Sequence, residues 1–405
     1  MSVKDKFLRY VTFDTTSDPK SESIPSTAKQ KKLGQQLVDE MLAMGIKDAI
    51  IDQYGYVYGS ILGNVAGPTI GFVAHMDTSN AVSGANIKPR VIENYDGTDI
   101  VLNKDVITTV ERFPQLSDYL GKTLIVTDGT TLLGADDKAG VAVILAAMEH
   151  LIQHPEVKHG LIKIAFTPDE EIGRGTIKFD TDGFACDFAY TMDGGKPNEI
   201  EYENFNAASA TVEIKGLSTH PGSAKDKMIN AVNVAMEYHA LLPVVARPEY
   251  TDGYEGYNHL MEINGDVEYV KMNYIIRNHD LDKLNKQKQQ FLDNAAFLNN
   301  RYQPDTVKVV LTDDYRNMKK EFVDKMYIIE LAKAAISELG MEPKCVAIRG
   351  GTDGADLTYK GIPCPNLGTG GQNYHGRNEF CCVEDMEKCV DIVLMISQKA
   401  IDFVK

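Results

Sequence analysis

Short apolar runs that stop at acidic or imidazole-bearing turns recur through the first half of the chain. The run Thr69 to Ala74 predicts a buried strand, and it ends on His75-Met76-Asp77. Residues two apart on a strand point the same way, so His75 and Asp77 face one spot. There the carboxylate can hold the imidazole in the tautomer a metal needs. A second run, Leu161 to Ala165, leads into Phe166-Thr167-Pro168-Asp169-Glu170-Glu171-Ile172-Gly173, and a third ends on Tyr190-Thr191-Met192-Asp193-Gly194-Gly195. The segment Leu133 to Gly140, with Asp136 and Asp137 at its centre, opens a helical stretch from Val141 to His150, and His375 lies in Gly371 to Asn378. Each feature has a plain structural reading: Asp136 as a helix cap, Asp193 as a turn residue, Glu170 and Glu171 as the solvated start of a loop. Placed together at strand ends, they converge on one crevice of an open α/β sheet.

From about residue 205 to 314 the rhythm changes. A strand from Ala210 to Lys215 precedes a helix near Ala224 to Leu241. Strands from Tyr257 to Ile263 and Glu268 to Arg277 flank Asn264-Gly265, a dipeptide that favours a tight hairpin. A polar helix from Leu281 to Asn299 and a strand from Thr306 to Leu311 complete a β-α-β-β-α-β order, the ferredoxin-like arrangement. The chain then returns to α/β patterns, with a helix near Glu321 to Leu339. The expected fold is therefore α/β with two domains: a mixed-sheet catalytic domain of residues 1–204 and 315–405, interrupted by an α+β lid or dimerisation domain of residues 205–314. The stretch Ser79 to Gly129 has turn signals and polar residues and predicts no definite element.

Two His and three carboxylates suit a pair of zinc ions, each taking one His and one terminal carboxylate, with the third carboxylate bridging. One member of the Glu170-Glu171 pair is then left over. A carboxylate beside a water acidified by two metals is what a general base requires, and amide hydrolysis without a covalent intermediate follows. Other motifs fall away. His150 and His154 lack the glutamate of the zincin pattern, and Gly350 to Gly354 lacks the Gly-Lys-Ser/Thr ending of a phosphate loop. No Gly-x-Ser-x-Gly elbow supports a serine hydrolase. Cys381 and Cys382 are adjacent, so on a strand they face opposite ways, and core packing is expected for one of them.

The family-wide motifs, His75-x-Asp77, Gly134 to Gly140, Asp169 to Gly173, Asp193 and His375, resemble those of the di-zinc metallopeptidases. That family includes carboxypeptidase G, aminoacylase, succinyl-diaminopimelate desuccinylase and the tripeptide aminopeptidases. The stretches Tyr202 to Ala208, Thr219 to Lys225 and Tyr274 to Asp280 are similar to the tripeptide aminopeptidases in particular, and the likeness runs over nearly the whole chain. It implies that His75 and Asp193 bind one zinc, Glu171 and His375 the other, and Asp136 both. Glu170 would be the general base, with Asp77 orienting His75. His220, from the smaller domain, would stabilise the oxyanion, on closure or across a dimer interface. Arg277 and Arg349 would take the substrate's C-terminal carboxylate, since the guanidinium fork pairs with it in two parallel bonds. Asp137 stands where related enzymes often have Asn. Cobalt or manganese would fit the same donors as zinc. The alternatives are a dipeptidase or N-acyl amino acid deacylase of the same chemistry, or a non-catalytic binding protein, which would usually have lost a ligand.

Composition narrows the partners. With 405 residues and a net charge of −16, the chain predicts a two-domain soluble protein that avoids nucleic acid and anionic membrane surfaces. No apolar stretch has the length of a membrane span, and Met1 to Thr12 lacks the apolar core of a signal peptide. The six cysteines show no Cys-x-x-Cys spacing and read as free thiols of a cytoplasmic protein. Small peptides are the expected partners, and a homodimer is what the resemblance suggests.

Overall fold

The computed structural model describes residues 1–403. The chain divides into two compact units, the first made of 1–202, 320–346 and 352–405, the second of 203–319 and 347–351. The short return of 347–351 to the second unit has no counterpart in the sequence pattern.

The first unit is built on an eight-stranded mixed sheet. Its centre is the strand Ile70–His75, buried at every position, with parallel neighbours Ile162–Thr167 and Phe188–Gly194. Burial on both faces explains why these strands read as unbroken apolar runs rather than alternating ones. The helix Ala135–Gln153 packs on that sheet and is itself buried almost all round. At Gly140 the helix comes so close to the sheet that a Cβ would lie 1.9 Å from the Met192 carbonyl oxygen. Gly140→Ala is accordingly expected to destabilise the protein by about 1–3 kcal/mol, the range for overpacking. An unchanged melting temperature would contradict that close approach.

The unassigned stretch Ser79 to Gly129 supplies strands of two or three residues, too short to show any period. Two of them, Arg90–Ile92 and Leu124–Val126, join Phe380–Cys382 and Gly371–Gln372 in a separate four-stranded sheet. Tyr95, Leu116, Tyr119 and Phe380 form a core of their own beside it. Cys381 and Cys382 are both buried, contrary to the expectation of one. Cys382 belongs to this small core, and both faces of its strand are covered. All six cysteines are free thiols. No helix among the described residues is long and apolar enough to cross a membrane.

The second unit has the ferredoxin-like order, an antiparallel four-stranded sheet in which Asn206–Lys215 lies between Tyr269–Asn278 and Val307–Tyr315, with Tyr257–Gly265 at one edge. Helices Ala231–Leu241 and Leu281–Arg301 cover the apolar face, over a core that includes Val212, Tyr238, Tyr274 and Phe291. The side chains of Asn230 and Asp280 cap these helices, so the first begins at Ala231 rather than near Ala224. The hairpin does not turn at Asn264-Gly265. Gly265 still pairs with Val270, and the chain reverses at Asp266 to Glu268. There the Asp266 carboxylate accepts the N–H groups of Glu268 and Tyr269 at 2.9 and 3.3 Å. An Asx-type turn has replaced the two-residue turn that the dipeptide favours.

Candidate functional site

Strand register alone brings the first residues together. Val73 is level with Thr191 on the neighbouring parallel strand, so His75 and Asp193, each two residues further on, come level on one face. His75 is likewise level with Thr167, and the Met76 N–H donates to the Thr167 carbonyl at 2.8 Å. The turn Asp169 to Glu171 therefore starts beside His75 to Asp77. Asp136 arrives from the start of the buried helix, where Asp136 and Asp137 leave helical geometry (ψ 103° and 35°) and point carboxylates towards the strand ends. His375 comes from the loop after Gly371–Gln372, in the left-handed region at φ 60°. A non-glycine residue held there is strained, and such residues cluster at functional sites.

Asp136 is the hub. Its Oδ1 lies 2.8 Å from His75 Nε2, and its Oδ2 lies 3.0 Å from His375 Nε2. His75 Nε2 is also 3.5 Å from Asp193 Oδ1, and His375 Nε2 is 2.9 Å from Glu171 Oε2. His75 is buried, while His375 is about half exposed (49%), so the group opens to one side. On the far edge of the His75 ring, Nδ1 meets the Asp77 carbonyl at 3.1 Å and its carboxylate at 3.3 Å. The buried Asp77 carboxylate also accepts the N–H groups of Glu170 and Glu171 at 3.0 and 3.2 Å. It thus holds one imidazole and the glutamate pair at once.

The electrostatics describe a site short of positive charge. Burial works against the Asp136 anion, yet hydrogen bonds from His375 and His75 hold its carboxyl well below the usual range. Burial and the Asp136 charge push Glu171 up to about 7. Bonds to Asp136 and Glu171 raise His375 to about 11. Glu170 is driven up by burial and by the charges of Asp193, Asp353 and Glu171, against His75. A cation placed among these carboxylates would relieve all of them. The donors fit divalent ions of the zinc class, because imidazole nitrogens and carboxylate oxygens suit them. Glu171 Oε1 is moreover buried with no hydrogen-bond partner among the described residues. Two metal-sized groupings are present: His75, Asp136 and Glu171, and His75, Asp137 and Asp193. In the second, Asp137 is already committed, since its two oxygens accept the N–H groups of His75 and Gly140, each at 3.1 Å. Burial and the nearby Asp193 charge also raise it well above the carboxylate range.

A supporting carboxylate was not legible in the sequence. Glu379, buried, accepts the N–H groups of Leu133, Gly134 and Asp136 at 2.7, 2.8 and 3.1 Å. It ties the Asp136 segment to the one that carries His375. Its only sequence signal is a position four residues after that histidine.

The other three candidates lie in the second unit and take their contacts there. His220 is exposed, and its Nδ1 accepts the Gly222 N–H at 3.1 Å. Arg277 donates from Nη1 to the Ala208 and Ile276 carbonyls at 3.1 and 3.0 Å, sits 3.6 Å from Asp314 and stacks on Tyr315. Arg349 is more fully engaged. Its Nη1 bonds the carbonyls of Gly253 and Glu255, its Nη2 bonds Thr251, and it stacks on Phe205 and Tyr257. A fork so occupied meets a carboxylate only if the 251–255 segment withdraws.

Comparison with known proteins fits this geometry. Residues 128–399 match the model of peptidase family M20/M25/M40. The chain is 51% identical over 397 residues to peptidase T of Alkaliphilus oremlandii (strain OhILAs), covering 96% of this chain and 97% of that protein. In fold it is similar to the crystal structure of aminopeptidase PepT from Bacillus cereus ATCC 10987, with a TM-score of 0.77, 23% identity and 98% of both chains covered. It is also similar to a tripeptidase of Staphylococcus aureus subsp. aureus mu50, with a TM-score of 0.78, 21% identity and 99% and 98% of the two chains covered. The chain belongs to peptidase family M20/M25/M40 and is a peptidase.

Proposed function

We propose that this peptidase is a metal-dependent aminopeptidase that releases the N-terminal residue of tripeptides. The observation that carries the metal reading is the division of Asp136, whose two carboxylate oxygens each face a different histidine. His75 and Asp193 would hold one ion, Glu171 and His375 the other, and Asp136 both. Zinc is the expected metal, with cobalt or manganese as substitutes. When bound, two such ions polarise the scissile carbonyl and bring a water's pKa towards neutrality.

The chain's own residues would do the rest. Among the described residues none donates a hydrogen bond to the Glu170 carboxylate, and its raised proton affinity suits a group that takes a proton from water and passes it to the leaving amine. Asp77 would keep the His75 ring oriented through Nδ1. His220 would supply the oxyanion's hydrogen bond. Arg277 is the stronger candidate for the substrate carboxylate, because its contacts use Nη1 whereas those of Arg349 use both Nη1 and Nη2.

Tripeptide specificity rests on the likeness to peptidase T and to a tripeptidase, together with the Tyr202 to Ala208 and Tyr274 to Asp280 stretches. A matched series tests it: a dipeptide, its tripeptide and tetrapeptide extensions, and the N-acetylated tripeptide. Cleavage confined to the first bond of the free tripeptide is expected. Preferred cleavage of the dipeptide or of acylated amino acids would overturn the tripeptidase reading and point to a sister amidohydrolase.

A further inference from the structure

The turn that carries Glu170 and Glu171 has little regular structure of its own. It is a single 3-10 turn, Glu170–Ile172, bounded by Asp169 at φ 61° and Gly173 at φ 67°. In front, the N–H groups of both glutamates are taken by Asp77. Behind, the fully buried Asp169 engages a segment some 140 residues earlier in the chain. Asp169 Oδ2 accepts the Ser26 N–H at 2.6 Å, and Oδ1 accepts the Ser26 hydroxyl at 2.5 Å and the Gln30 amide at 2.7 Å. Gln30 returns the bond, its Oε1 accepting the Asp169 N–H at 3.2 Å. Arg174, at the end of the turn, adds bonds to the carbonyls of Ser21 and Pro19. The same segment reaches the other loop, since the Ser17 N–H donates to the Thr78 carbonyl at 3.1 Å and the Thr78 N–H to Thr15 at 3.3 Å.

We infer that the segment Thr15 to Gln30 is part of the catalytic apparatus, and that Asp169, Ser26 and Gln30 are positioning residues that set where Glu170 and Glu171 stand. The physical case is one of constraint. A turn with left-handed residues at both ends has few internal bonds, and Asp169 is a non-glycine residue kept there only by what surrounds it. Three donors on one buried carboxylate, plus a reciprocal bond to its own N–H, supply that constraint. The glutamate pair is held between two buried carboxylates, Asp77 and Asp169, each anchored to a different part of the chain. A displacement of about 1 Å at such a site is enough to lower turnover 100-fold.

The inference rests on the reading of Glu170 as the base, and the test separates the two. Gln30→Ala, Ser26→Ala/Gln30→Ala, Asp169→Asn and Glu170→Ala are compared, all with metal restored. Gln30 lies on the first turn of the helix Gln30–Met44, where alanine is well tolerated, so the fold should survive. Opening the anchor is expected to lower kcat about 10-fold or more with KM little changed, the size of effect seen for supporting partners. Amide hydrogen exchange should rise in 169–174 and in 15–27 together. In the Asp169→Asn background, Gln30→Ala should cost little further, because the two act as one unit. Full turnover in Ser26→Ala/Gln30→Ala while Glu170→Ala is inactive would overturn the inference and leave the base in place, as would additive losses in the cycle. Full turnover in Glu170→Ala would instead remove the base reading, and the exchange data would then decide alone whether the segment braces the turn.

Discussion

Glu170→Ala is expected to lose 10²–10⁴ of kcat, about 3–5 kcal/mol of transition-state stabilisation, while keeping its metal. The size follows from removing a carboxylate to which, among the described residues, no hydrogen bond is donated. Glu171 is bonded to His375, Asp136 is shared by both histidines, Asp193 faces His75, and Asp137 and Asp77 are occupied by N–H groups. Metal retention follows from the same geometry, since Glu170 belongs to neither of the metal-sized groupings. Metal content by mass spectrometry, alongside steady-state kinetics on a tripeptide, reads both halves. Turnover within a few-fold of the parent would strip Glu170 of the role. Lost metal together with lost turnover would make it a ligand instead.

Asp136→Ala is expected to be the most damaging single change at the site, abolishing measurable turnover and emptying or weakening both metal positions. Supporting residues around a metal already cost roughly 10–100-fold in affinity when removed, and a carboxylate shared between two ions must exceed that. The two histidines would also lose their common partner, leaving His75 Nε2 with Asp193 at 3.5 Å and His375 with Glu171 at 2.9 Å. Titration of the apo-variant with zinc, followed calorimetrically, should show much weakened binding at both positions. Retention of one tight site would restrict Asp136 to a single ion and remove the shared-ligand reading.

How much of this was legible in the chain depended on the range of the interaction. His75, Asp77 and Asp193 could be read because strand period and parallel register are local and regular. Asp136 could be read as an acid before a helix, but its departure from helical backbone, which aims it at two histidines, could not. Glu379 was invisible: its partners are backbone N–H groups 243–246 residues away, and backbone donors leave no mark in a sequence. The Asn264-Gly265 hairpin failed for the opposite reason, because a strong local preference gave way to an aspartate two residues on. The stretch Ser79 to Gly129 gave no signal because strands of two or three residues have no period to detect. Only one of them among the described residues, Leu124–Val126, pairs with Phe380–Cys382, far along the chain.

That late pairing sets an order of events during synthesis. Residues 203–319 have left the peptidyl-transferase centre before the chain reaches His375, and the stretch 320–382 takes roughly 3–13 seconds at about 5–20 residues per second. Throughout that interval the first unit lacks the strands that close its small sheet, the carboxylate of Glu379 and the imidazole of His375. A nascent chain at that stage therefore carries His75 and the carboxylates of Asp136, Glu171 and Asp193, but not the second imidazole that Asp136 and Glu171 face. On the proposed reading, the second metal position cannot be completed until the chain has passed residue 375.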